Sequence, residues 1–403
     1  MATSAPQTLL DYWRSTATSI DCDTLDVSVA ADLGPFVDCT SNQAIAALEL
    51  ERHEHRELVL KAARLARELK GKGEWEDVPV NKLGGEIATV LLAHTILPHL
   101  THRVHLQTDP TAALSTPATI TSALRLVSLF HLLSPTQPPS PSLAIDRLCL
   151  KIPATHAGLL AARHLHGAPH NLTTLATTLF AIPQAALAAQ VGCAYIAPYV
   201  NSLQLHFEPG FKGSHQAGRE RDVAMQEVRR ALAYYDAIGS RGKPAVLPAS
   251  LGSVDECTRL VRMGLEHLTV APGLLRQAAT TPFQAGRKEV DGDGDAVKET
   301  WEKPLDYLND KEGFERDFAA VNGGREKEKL DHSIQVFVEF QDQLEARVQK
   351  ALEEIRFAPC SSLHKKGNIF ALLSIFSFDY QNSCIRESVV SFLAPSYLGL
   401  IST

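Results

Sequence analysis

Lys151 is the residue whose place in the sequence most suggests chemistry. It closes an apolar run, Leu148-Cys149-Leu150-Lys151-Ile152-Pro153, of the kind that forms a strand buried on both faces. Desolvation penalises a buried ammonium, so its pKa falls and the neutral, nucleophilic amine becomes accessible nearer neutral pH. Such an amine attacks a carbonyl, and the resulting Schiff base is an electron sink for making or breaking a C–C bond. The alternative is a lysine that snorkels to solvent from a strand end. Other strand-like runs also end in polar residues: Asp23, Asn42, Gln107, Thr177, Tyr199 and Ser250. A carboxylate and a phenol move protons, while amides and hydroxyls read a polyol without adding charge.

These residues need a scaffold that brings strand ends together. Strand patterns fall at residues 19–23, 36–40, 103–107, 146–152, 171–177, 194–198, 245–249 and 267–270. Helical spacing fills the intervals at 42–69, 82–99, 119–133, 157–166, 183–190, 217–238 and 254–263. Eight strands with helical crossovers predict an α/β protein, a single (β/α)8 TIM barrel whose C-terminal strand ends form one mouth. An open doubly wound sheet is the rival, but no G-x-G-x-x-G follows the first strand. The barrel is expected over 19–357, after an N-terminal segment 1–18. It would carry a charged insertion at 284–330, a C-terminal amphipathic helix at 331–355 and an irregular tail at 358–403.

Five short motifs, in order, then suggest a family. They are Cys22-Asp23-Thr24-Leu25-Asp26, Thr40-Ser41-Asn42, Leu150-Lys151-Ile152-Pro153-Ala154-Thr155, Thr177-Thr178-Leu179-Phe180 with Gln184-Ala185, and Ala197-Pro198-Tyr199-Val200-Asn201. From about Ile20 to Gly273 the chain resembles the transaldolases and their smaller relative fructose-6-phosphate aldolase. The resemblance implies that Lys151 forms an imine with a ketose donor. It implies that Asp23 transfers protons and holds a donor hydroxyl, and that Asn42 and Ser250 hydrogen-bond hydroxyls. Thr177 would position a water together with Gln107.

The departures from the family pattern carry as much information. Gln107 replaces a glutamate, and an amide can orient a water but cannot take its proton. Tyr199 replaces phenylalanine, and its phenol can stand in for the missing carboxylate; this pairing is similar to the fructose-6-phosphate aldolase branch. Ser202, beside Asn201 at the substrate end, and Gly252 stand where the family places phosphate-binding cations. Each lost charged hydrogen bond is worth about 1.5–3 kcal/mol, so an unphosphorylated or otherwise non-standard acceptor is expected, unless Lys212, Arg219 or Arg221 compensates. The alternatives are an ordinary transaldolase of the pentose phosphate pathway and a non-catalytic, metabolite-binding family member.

Composition narrows the field without deciding it. Among 403 residues, 39 Lys and Arg face 46 Asp and Glu, a net charge of -7, which gives no global drive towards nucleic acid or an anionic membrane. Seven cysteines without a CxxC pair argue against a disulfide scaffold. The first residues lack the basic and apolar regions of a secretory signal, and no stretch is long and apolar enough to span a bilayer. A cytoplasmic enzyme acting on small sugar, ketone or aldehyde substrates follows, with a homodimer as an open expectation. No metal or cofactor is expected, since an imine serves as the electron sink. The 16 histidines include no HExxH and are expected to be solvated or capping. Asp291-Gly-Asp293-Gly-Asp295 falls short of an EF-hand, because Ala296 occupies the glycine position.

Overall fold

The computed structural model describes residues 6–135, 145–208, 218–239, 243–284, 301 and 304–357. Eight strands follow one another around a parallel sheet: β1 Ser19–Asp23, β2 Cys39–Thr40, β3 Val104–Gln107, β4 Leu148–Pro153, β5 Thr174–Leu179, β6 Tyr195–Pro198, β7 Ala245–Val246 and β8 His267–Val270. Each pairs with its neighbour in sequence from β1 to β7, and β8 returns to pair with β1. A side chain spans the remaining gap, where the Val246 N–H of β7 donates to the carboxylate of Glu266, just before β8, at 3.2 Å. This is a nearly closed (β/α)8 barrel. Strands β4 and β5 are buried along their whole length, as expected where helices cover one face of a strand and the barrel interior the other.

Fourteen described α-helices surround the strands: α1 Leu9–Ser15, α2 Val27–Leu33, α3 Gln43–Glu51, α4 Arg56–Leu69, α5 Val80–Ile96, α6 Thr116–Leu132, α7 His156–His166, α8 Ile182–Gln190, α9 Gln204–Phe207, α10 Gly218–Ile238, α11 Val254–Arg262, α12 Pro272–Thr280, α13 Lys311–Ala320 and α14 Arg325–Phe357. The helix expected over 42–69 is two helices. Arg52 leaves helical geometry at φ -64, ψ 137, and its guanidinium reaches Asp26 at 2.8 Å, Glu49 at 3.0 Å and Glu54 at 2.8 Å. The apolar spacing that gives this stretch its helical look runs through the break, which these ion pairs hold.

The C-terminal helix α14 begins earlier than its apolar pattern suggests and lies along α3, α4 and α5. Gly84 of α5 permits the approach, since a Cβ there would fall 2.4 Å from Val348 Cγ1. Further along α14, the Phe340 ring meets Phe207 of α9 with centroids 4.9 Å apart. The helix thus packs on the barrel's flank and also touches the loop after β6. Residues 285–300, the proline-rich 136–144, Lys212 and the tail 358–403 lie outside the described residues. No described helix is long and apolar enough to cross a membrane.

Candidate active site

Lys151 is the one charged residue in β4, and only 2% of it is exposed. Burial lowers its pKa, and the negative charge of Asp23 opposes that shift. Among the described residues its ammonium has no hydrogen bond or ion pair. Gln107 is its register partner on β3, so the two side chains share a face of the sheet. Gln107 is also buried, and neither Nε2 nor Oε1 has a partner among the described residues. An unmet amide is costly in a protein interior, so this one marks a place where water or a ligand belongs. Gln107, Ser41 and Asn42 help line a cavity between the strand ends and α3, α5, α6 and α14.

Asp23 ends β1 and accepts a 2.6 Å hydrogen bond from Thr40 at the end of β2. Thr40 in turn lies 2.6 Å from Thr269 of β8. Across the barrel the Thr177 hydroxyl donates to the Tyr199 oxygen at 3.3 Å. Burial pushes the Tyr199 pKa up, with Asp23 adding to the rise, so the phenol is protonated at neutral pH. The end of β5 is held by Gln184, whose amide donates to the carbonyls of Ala154 and Thr178 and accepts from the N–H groups of Phe180 and Ala181.

The rim residues have structural duties as well. Asn42 caps α3, accepting from the Ile45 N–H at 2.9 Å, so its oxygen is committed and its amide nitrogen is the group left to address a ligand. Ser250 sits at φ +59, a left-handed conformation uncommon for a side-chain-bearing residue, and its hydroxyl donates to the Asn201 carbonyl at 2.8 Å. The Asn201 amide donates to the Ser250 carbonyl and to Glu256, tying the loop after β6 to the loop after β7. Ser202 donates to Gln204 at 3.4 Å. The N–H of Gly252 is taken by the Glu256 carboxylate at 2.7 Å. Lys212 and the side chains of Arg219 and Arg221 are outside the described set.

Two features escaped the sequence reading. His206, on α9 at the rim, has Nε2 3.0 Å from the Ser250 hydroxyl; it belongs to no motif, and only the fold brings it to the mouth. The second lies at the opposite, N-terminal end of the barrel. Asp21 bonds His267 at 2.8 Å and the Asp38 N–H at 2.9 Å, while Asp38 bonds His105 at 3.0 Å and the Arg103 N–H at 2.6 Å. The alternation of Ser19, Asp21 and Asp23 along β1 was its one trace in the sequence. It also corrects the expectation of solvated histidines: His105 is fully buried against Asp38, and His94 is buried on the Phe130 carbonyl. Cys22, Cys39, Cys149, Cys193 and Cys257 are buried free thiols.

Comparison with known proteins gives this geometry a context. The family model described as Transaldolase/Fructose-6-phosphate aldolase matches residues 20–351. A protein named transaldolase from Pseudoalteromonas atlantica is 25% identical over 81% of this chain and 94% of its own. One from Fusarium oxysporum is 26% identical over 77% and 88%. A third, from Prochlorococcus marinus, is 28% identical over 86% and 82%.

Proposed function

Since the chain belongs to the transaldolase/fructose-6-phosphate aldolase family, we propose that it makes or breaks a C–C bond of a ketose through a Schiff base on Lys151, with an unphosphorylated acceptor. The observation that carries this reading is the buried Lys151, whose amine has no hydrogen bond among the described residues, beside the unsatisfied Gln107 amide. The neutral amine attacks the donor carbonyl, forming a C–N bond, and the carbinolamine loses water to give an iminium. A base takes the proton of the hydroxyl next to the scissile bond. The bond's electrons pass into the iminium as an enamine while an aldehyde departs. Asp23 is the base favoured here, because Tyr199 is held protonated and is placed to donate instead. Protonation of the enamine gives cleavage; its addition to a second aldehyde gives transfer. Gln107 and Thr177 hold the water that enters and leaves.

The uncharged Ser202 and Gly252 support the unphosphorylated acceptor, and Glu256 already occupies the Gly252 N–H. A phosphate dianion there would meet a carboxylate where charge-assisted bonds are strongest. The ordinary transaldolase reading draws its support from relatives of that name that align over most of the chain. Product analysis separates the two. Incubation with a ketose and either glyceraldehyde or glyceraldehyde 3-phosphate should give faster turnover with the former. A strong preference for the phosphate ester would establish the ordinary reading, and no C–C bond change with any ketose would leave a metabolite-binding protein.

A further inference from the structure

The rim of the mouth holds an imidazole that the mechanism above does not use. His206 sits on α9, which is clamped from three sides. Phe207 packs on Phe340 of α14, Leu205 lies so close to Gly252 that a Cβ there would come within 2.9 Å of it, and Asn201 ties the loop to Ser250. The residue keeps an exposed side yet its ring is anchored, with Nε2 3.0 Å from the Ser250 oxygen. The Ser250 hydroxyl hydrogen is already spent on the Asn201 carbonyl. Nε2 must therefore carry the proton of this contact and donate, which leaves Nδ1 as an acceptor. α9 follows the C-terminal end of β6, and Asp23 stands at the same end of the parallel β1, which places His206 on the same side of the barrel as the site. Burial against its neighbours lowers its pKa, with Asp23 and Glu256 opposing, and this favours the neutral form that the hydrogen bonding requires.

We propose that His206 is a specificity residue that receives a hydroxyl of the acceptor aldehyde at Nδ1, with Ser250 and Asn201 fixing its orientation. The ligand class is a small, unphosphorylated hydroxyaldehyde, and the assignment rests on the Lys151 reading. A neutral imidazole offers a hydroxyl hydrogen an acceptor, and it offers a phosphate dianion no charge.

The test compares glyceraldehyde with propanal, which lacks the hydroxyls, as acceptors with a common ketose donor. The full chain is used as wild type, His206→Ala and His206→Asn, with borohydride trapping of the donor alongside. In His206→Ala the KM for glyceraldehyde rises about tenfold, the cost of one hydrogen bond, while kcat and the propanal parameters move less than about twofold. His206→Asn, which keeps an acceptor oxygen, recovers most of the loss; it also decides the question if the alanine variant does not fold. Equal losses for glyceraldehyde and propanal, or an unchanged glyceraldehyde KM, would overturn the assignment of His206 alone. Failure to trap any donor on the wild type would instead remove Lys151 and, with it, this proposal.

Discussion

Gln107 and Lys151 stand side by side as register partners on β3 and β4, both buried, and the Gln107 amide has no hydrogen-bond partner among the described residues. A carboxylate in place of that amide would stabilise the ammonium through charge. With an amide there, desolvation dominates and the Lys151 pKa is lowered. On the proposed reading, this pair sets the conditions for imine chemistry.

Gln107→Glu tests that relationship. A negative charge beside Lys151 should raise the amine pKa, because it stabilises the ammonium. The pH midpoint for Schiff-base formation then moves upward, and the reaction slows at neutral pH. Rates of borohydride-trappable adduct measured between pH 6 and 10 check this; an unmoved midpoint would show that residue 107 does not face the amine.

Lys151→Met should stabilise the fold at neutral pH. The folded pKa of Lys151 lies below its ordinary value of 10.5, so the unfolded chain binds more protons between the two. Wild-type stability therefore rises with pH across that window, and below it the burial penalty is felt in full. Melting curves should show the variant ahead at pH 7, with the gap narrowing as pH approaches 10.5. A variant that melts below the wild type would mean that the ammonium is well solvated.

Tyr199→Phe removes the oxygen that Thr177 addresses and the proton the phenol can give. A general acid is typically worth 10²–10⁴-fold, so kcat should fall by about that range while the melting temperature changes little. Loss of less than about threefold would exclude Tyr199 from proton transfer.

The barrel base makes a separate claim about stability. Burial works against the Asp38 carboxylate, but His105, the Arg103 N–H and His102 outweigh it and hold the pKa well below the usual range. That contribution is present above the ordinary carboxylate pKa and is lost as pH falls through the folded value. His267 runs the other way: its pKa is raised by Asp21 against burial, so its share is complete below about 6.5 and is lost as pH climbs through the raised value. Asp38→Asn should cost on the order of 3–5 kcal/mol in denaturant melts at neutral pH, the usual penalty for breaking a buried pair. A cost under 1 kcal/mol would show that the network is redundant.

Much of this was legible in the sequence because each strand is a short apolar run between helices. β1 and β8 stand at the residues the pattern indicates, 19–23 and 267–270. β2 and β7 are shorter than the patterns at 36–40 and 245–249 indicate. Their outer residues, such as Phe36 and Ala249, make single bridges instead of ladders. Lys151 was visible because an ammonium in an apolar run is physically anomalous. His206 was invisible because its partner Ser250 is 44 residues away, and nothing local distinguishes a rim histidine from a surface one. The division of α3 from α4 was hidden because Arg52 is an adequate helix former by propensity, and one of the partners that hold it there, Asp26, lies far back in sequence.

The most direct measurement is reduction with borohydride in the presence of a ketose such as fructose or dihydroxyacetone, followed by peptide mass mapping. One donor adduct is expected, on the peptide carrying Lys151, absent from Lys151→Met. An adduct on another lysine, or none with any ketose under conditions where the protein is folded, would contradict it.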